Sequence, residues 1–345
     1  MTALATSSSV LALCAAGPGN HAAGERLRRA LEAVRDWDLL VRDAEWHGLD
    51  ALLLERARDH AVELPSEAAT RLRSRAMQHA HAASVRAAAV TGVLDAFDAA
   101  RIPVLLLKGA ALAHLVYPAP RLRPMRDVDL LVAPQDADRA WTLVRERGFS
   151  LFGLHPGAGH HHLHALAAAI DGVTITIEIH TTPLAPAPLV APLPYADAVS
   201  RARSFSYDGR EARTLAPEDM LWHVYAHAFV VDSLHSDARL IALADLVLAT
   251  EAWAAELDWP RLRSRYPRLV RALARIGGVV PWSPRVADRV YSFAPGAADN
   301  WRFDVSYGVD GPVRRVWSRL VVHPATVTLW AVDVARRRYL WHGHT

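Results

Sequence analysis

The sequence predicts an α/β (α+β) fold: a small mixed-sheet core flanked by helical segments on its N-terminal and C-terminal sides. Three observations carry this reading. In the first hundred residues, apolar positions recur at helical spacing, as in the i, i+3, i+4, i+7 stripe of Val90, Val93, Leu94 and Phe97. From Ile102 onward, short apolar and alternating runs replace that pattern. The nine residues 173–181, VTITIEIHT, alternate strictly, as a half-buried strand does.

Residues 24–60 read as helical, with Gly48 as a break, and Pro65–Ser66 opens a long helix running to about Phe97. IPVLLL (102–107) suits a strand buried on both faces, and GAALAHLVY (109–117) a short helix. A loop at 118–126 leads to DVDLLVA (127–133), a strand, and then to a helix over 134–148 that stops at Gly148. Asp171–Gly172 is a turn signal before the alternating strand. Strand–helix–strand–helix–strand over some 80 residues makes a compact α/β core. The proline-rich 183–194 reads as an extended loop, and 216–229 and 239–253 as helices. Four regions follow: a helical region over 1–100, a core over 101–205, a helical domain over 206–280, and a C-terminal region over 281–345 with no assigned role.

Composition narrows the function. With 52 % apolar and 22 % charged residues, the 345-residue chain is neither disordered nor fibrous. The net charge is only +3 and no long basic block occurs, so nucleic-acid binding is not implied. The single cysteine, Cys14, excludes an intramolecular disulfide and fits a reducing cytoplasm. The N-terminus has no basic region ahead of its apolar patch, against a secretory signal. No apolar run approaches the roughly 20 residues that span a bilayer, so a soluble cytoplasmic protein is expected. Oligomeric state is not legible.

The chemistry gathers in two strands and one turn. On a strand, Asp127 and Asp129 share a face, about 6.5–7 Å apart along the chain. Carboxylates this close repel unless they face water or share a cation, and Mg²⁺ (or Mn²⁺) is the natural one. Thr174, Thr176, Glu178 and His180 form the polar face of the second strand, so Glu178 completes a three-carboxylate site if the strands are neighbours. Lys108 is the chain's sole lysine against 38 arginines, and it precedes Gly109 where a buried strand meets a helix start. Helix N-termini bind phosphate through free N–H groups, glycine permits close approach, and lysine adds a compact charge. Arg121, Arg123 and Arg126 offer further donors.

Together, LLLKGAALAHLVYP, RLRPMRDVDLLV and ITIEIH resemble the bacterial family of uncharacterised nucleotidyltransferases, within the DNA polymerase β-like superfamily. TLAPEDMLWHVYAHA, RLIALADL and LDWPRL extend the likeness over roughly residues 30–265. The resemblance implies a nucleotidyltransferase core that moves a nucleoside monophosphate from an NTP to a hydroxyl with Mg²⁺, releasing pyrophosphate. It implies Asp127 and Asp129 as the metal-binding pair and Glu178 as the third carboxylate and activator of the hydroxyl. Gly109 stands where the superfamily's Gly-Ser begins its triphosphate-binding helix. Lys108, Arg123 and Arg126 are phosphate-binding candidates by their own charge and position, not by the resemblance. Ala110 departs from the superfamily's serine there, and Lys108 precedes the glycine. That departure motivates an alternative, a catalytically degenerate nucleotide-binding or regulatory protein.

Two histidine groups compete for attention. His155, His160, His161, His162 and His164 lie close in sequence and raise a third reading, a metal-dependent hydrolase. In the nucleotidyltransferase reading, His162, His180 and His227 are the expected substrate contacts. His223 and His227 share a helix face, but Val224 stands where a metalloprotease helix needs Glu. The acceptor is left open among small-molecule, peptide and protein hydroxyls.

Overall fold

The computed structural model describes residues 7–17, 19–155, 160–184, 190–231 and 239–293. The N-terminal part is helical: α1 (Ser7–Leu13), α2 (His21–Glu32), α3 (Trp37–His47), α4 (Asp50–Asp59) and α5 (Ser66–Ala99). The expected break at Gly48 is present, with φ +72° closing α3. A second break falls at residues 33–36, where the Asp36 side chain caps α3 by accepting from Leu39 N at 2.8 Å. At its C-terminal end α5 buries Val90, Val93, Leu94 and Phe97, the stripe read from the sequence.

The core follows as β1 (Val104–Leu106), α6 (Lys108–Leu115), β2 (Val128–Val132), α7 (Ala137–Glu146), β3 (Ser150–Leu151), β4 (Leu166–Ile170) and β5 (Val173–His180). β1 is shorter than the apolar run 102–107. Ile102 N still donates to Phe97 O, closing α5, and Leu107 already caps α6. Pro134 begins a 3₁₀ turn rather than the helix itself, so α7 starts three residues late.

After α8 (Tyr195–Ser200) comes a hairpin that hydrophobic periodicity does not signal, β6 (Arg203–Tyr207) and β7 (Arg210–Thr214). Its turn, Asp208–Gly209, has positive φ at both residues (+49° and +83°), the two-residue loop that Asp-Gly favours. The helices α9 (Pro217–Ala226), α10 (Leu240–Trp253), α11 (Trp259–Arg265), α12 (Pro267–Ile276) and α13 (Pro284–Phe293) complete the described chain. α9 runs on into a π-helical turn over His227–Val231. Of the C-terminal region expected over 281–345, residues 294–345 lie outside those described.

All seven strands form one mixed sheet, ordered β3-β4-β5-β2-β1-β7-β6. β2 and β5 are parallel neighbours, as are β1 and β7; the other pairs are antiparallel. The fold is therefore mixed α/β with helices flanking the sheet. Leu130, Leu131, Val132, Ile177 and Ile179 are fully buried at its centre. The two helical segments meet: α1 packs on α10, and the Asn20 side chain donates to Pro281 O at 2.5 Å. No described helix is long and apolar enough to cross a membrane.

Candidate active site

Strand pairing makes the site. The parallel register of β2 and β5 sets Asp129 opposite Glu178, and Leu131 opposite His180. Asp129 is only 3 % exposed, and both its oxygens are engaged. Lys108 Nζ lies 3.0 Å from Oδ2, and His180 Nε2 lies 3.0 Å from Oδ1. The same His180 nitrogen is 3.5 Å from Glu178 Oε2, which His162 Nε2 approaches to 3.7 Å. Asp129, Glu178 and His180 thus present ligand atoms within 4.8 Å of one another. Asp127 precedes β2 at the exposed mouth and is outside this tight cluster.

Lys108 reaches Asp129 through an unusual backbone. Its φ is +43°, a left-handed conformation that a side chain makes unfavourable. Such positions persist where the surroundings over-determine them, commonly at functional sites. Here β1 ends, Leu107 N donates to Asp129 O at 3.0 Å, and α6 begins. The turn is tight for a second reason. A Cβ at Gly109 would stand 2.6 Å from Arg123 Cζ.

That guanidinium is committed elsewhere than to phosphate. Arg123 donates from Nε and Nη2 to the two oxygens of Asp245, at 3.2 and 2.7 Å, and from Nη1 to Pro124 O. Tyr117 Oη donates to the same Asp245 at 2.7 Å. Arg123 therefore positions the Gly109 turn against α10, and its donors face Asp245. Sequence reasoning passed over Asp245, although a lone carboxylate in the apolar run LIALADLVLA signals a buried ion pair. Arg126 lies exposed at the rim.

The charges explain the protonation states. Burial opposes ionisation of Asp129, but Lys108 and then His180 outweigh it and hold its carboxyl well below the usual range. Glu178 is also held low: burial opposes this, and the hydrogen bond from His180 wins. Burial works against a charged His180, yet Asp129 and Glu178 raise its pKa. Asp127 moves the other way. The surrounding protein and then the Asp129 charge push its carboxyl up, more than Lys108 pulls it down.

The histidines beside the carboxylates pack as rings. His160, His161 and His162 present ligand atoms within 4.8 Å of one another, and His161 meets His180 edge-on and His162 meets it at a tilt, each with ring centroids 5.1 Å apart. His161 is driven to a pKa of about 2, first by burial and then by His180, so its ring is neutral. His164 lies apart, 3.1 Å from Gly153 O, with its ring against His155. His227 opens the π-helical turn, close enough for its charge to lower the Asp129 pKa. Of the three expected substrate contacts, His162 is partly exposed beside Glu178, whereas His180 is buried and braces both carboxylates.

A divalent ion fits the clustered donors. Asp129 and Glu178 supply hard oxygen ligands beside the His180 ring, and each Asp129 oxygen retains lone pairs beyond its bond to Lys108 or His180, while Asp127 stands outside the cluster. The arrangement can hold a metal, take up a proton at Glu178, and orient an anion near the start of α6.

The sequence model of a family described as uncharacterised nucleotidyltransferase matches residues 33–274. A search of curated proteins finds no match. Among solved structures, the antibiotic-resistance factor ANT(2'')-Ia is 18 % identical with a TM-score of 0.36, covering 55 % of this chain and 96 % of its own. An antigenic nucleotidyltransferase-like protein from Paracoccidioides brasiliensis is 15 % identical with a TM-score of 0.40, covering 61 % and 93 %.

Proposed function

The chain belongs to the uncharacterised nucleotidyltransferase family, and on that premise we propose that it moves a nucleoside monophosphate from an NTP to a hydroxyl acceptor. The acceptor oxygen bonds to the α-phosphorus, the bond from that phosphorus to the bridging oxygen breaks, and pyrophosphate leaves. Glu178, held ionised by His180, takes the hydroxyl proton. Asp127, Asp129 and Glu178 would hold Mg²⁺ (or Mn²⁺), which supplies charge neutralisation for the transferring phosphoryl group. Lys108 keeps Asp129 ionised from the strand–helix turn, and the N–H groups that open α6 at Gly109 receive phosphate oxygens. The acceptor is a small-molecule, peptide or protein hydroxyl.

The observation that carries this reading is the Asp129–Glu178 pair on adjacent parallel strands, with Lys108 closing on Asp129 from the start of a helix. Incubating the protein with α-labelled or γ-labelled NTP, Mg²⁺ and a pool of hydroxyl compounds tests it. Only the α label should enter product, and Glu178→Gln should slow transfer by roughly 10²–10⁴-fold, the usual worth of a general base. Transfer of the γ label, or a Glu178→Gln rate equal to wild type, would refute it.

A second reading is favoured by Ala110, buried at 2 % exposure where the resemblance to the wider superfamily implies serine. It is a nucleotide-binding regulator that holds NTP without transfer. Saturable, Mg²⁺-dependent NTP binding with no labelled product would favour it.

A further inference from the structure

A cavity of about 330 Å³ is lined by Arg123, which also closes on Gly109, and by Arg126, the residue before Asp127. Its walls come from α5, the ends of α3 and α4, the loop before β2, the start of β5 and Arg239 at the head of α10. Arginines dominate it: Arg75, Arg86, Arg121, Arg126 and Arg239 line it together with Arg123.

The acids present do not balance them. The two acidic residues in the wall are already paired: Glu45 with Arg71 at 2.7 Å, and Asp50 with Arg75 at 3.1 Å and His79 at 2.8 Å. Arg121 and Arg123 have Glu55 and Asp245 outside the cavity. Arg86, Arg126 and Arg239 have no carboxylate within ion-pair distance among the described residues. Arg86 is only 7 % exposed and bonds Met125 O at 3.2 Å; Arg239 bonds Trp46 O at 2.8 Å. A buried guanidinium met only by a carbonyl is costly, and a bound anion removes the cost. The crowding is strong enough that burial, then Arg126 and Arg123, push Arg239 down to about 10.

We propose that this cavity is a second phosphate site, which holds a phosphate group carried by the hydroxyl acceptor, so that the acceptor is a small phosphorylated compound. This rests on the nucleotidyltransferase reading. Planar forks of arginine suit phosphate oxygens, the volume suits a small ligand, and Arg126 is joined directly to Asp127. The nucleotide's own phosphates have the Gly109 turn, which is not part of the cavity wall.

Titration calorimetry with inorganic phosphate, in low salt and a chelator, tests the site. Without a divalent ion, Asp127, Asp129 and Glu178 repel phosphate, so binding reports the arginine cavity. Wild type should bind, and Arg239→Gln and Arg86→Gln should each weaken binding at least fivefold, with circular dichroism confirming that the variants fold. Absence of phosphate binding, or binding unchanged in a folded Arg239→Gln protein, overturns the site. The same variants titrated with Mg·ATP separate the two sources of phosphate. Affinity within twofold of wild type supports the acceptor; a parallel loss assigns the cavity to the nucleotide and overturns the proposal. Failure of the parent reading has a different signature: Mg·ATP binding that is absent, or indifferent to Asp127→Asn, whatever phosphate does in the cavity.

Discussion

Lys108 Nζ and Asp129 Oδ2 stand 3.0 Å apart, joining the only lysine in the chain to the most deeply buried carboxylate of the candidate site. Arginine's longer, planar fork is a poor substitute where a compact ammonium must reach one oxygen and leave the other to His180. The lysine's left-handed backbone aims it there.

Removing this ammonium strands a buried carboxylate. Lys108→Met should destabilise the protein by about 3 kcal/mol, the low end of the cost of breaking a buried pair. Lys108→Met combined with Asp129→Asn should cost less than the two single changes added together, because they share one interaction. Denaturant unfolding at pH 7 measures both. Additive losses would mean the pair is not coupled.

Gly109 has no room for a methyl group. Gly109→Ala should displace Arg123 from Asp245 and cost about 1–3 kcal/mol, as overpacking does. Asp245→Ala should cost more, since it leaves Arg123 buried without a counter-charge. The order of the unfolding midpoints checks this.

Acid should weaken the fold through histidines kept neutral. Among the described residues, neither ring nitrogen of the fully buried His223 has a hydrogen-bond partner, and burial, followed by the charges of Lys108 and His227, holds its pKa well below the ordinary value. The unfolded chain takes up a proton at this position below pH about 6.5, while the folded chain does not. Stability is therefore full above that pH and declines as pH falls, by up to about tenfold in the folding constant per pH unit for one group. His161, driven to about 2, adds to the decline. His180 opposes it: its raised pKa gives stability that is complete below pH about 6.5 and lost as pH rises through its folded value. Urea midpoints between pH 8 and 4 should slope less steeply in His223→Leu than in wild type. Equal slopes would remove His223 from the account.

Cys14 should be inert in the folded protein. It is fully buried, and burial pushes its thiol up to about 12 against the pull of Arg56. Alkylation at pH 8 should proceed only as fast as the chain unfolds, a rate that mass spectrometry can follow. Rapid labelling under native conditions would contradict the packing of α1.

The strands of the candidate site were legible because alternation is a property of neighbouring residues: Asp129 and Glu178 declare their faces locally, and the structure pairs them. What depends on distant partners was less so. Nothing local shows that Arg123 belongs to Asp245, 122 residues later. The hairpin β6–β7 carried a signal in Asp208–Gly209, but its flanking RSFSY and REART hold too few apolar residues to read as strands by hydrophobicity. β4 was hidden in the same way, since LAAAI has alanine where strands usually carry β-branched residues. The tight Asp129–Glu178–His180 cluster also needed the register. Sequence spacing favours Asp127 as a partner of Asp129, whereas the adjacent strand brings His180 closer.

Nucleotide-dependent stability tests the central claim most directly, because it requires no acceptor. Thermal unfolding of wild type, Lys108→Met and Asp127→Asn/Asp129→Asn should be followed with each NTP, with and without Mg²⁺. At a hundred times Kd, bound nucleotide adds about 2.7 kcal/mol. A nucleotidyltransferase site predicts a Mg²⁺-dependent rise in Tm for wild type that both variants lose. A wild-type Tm indifferent to every nucleotide, or a rise that survives loss of both aspartates, would contradict it.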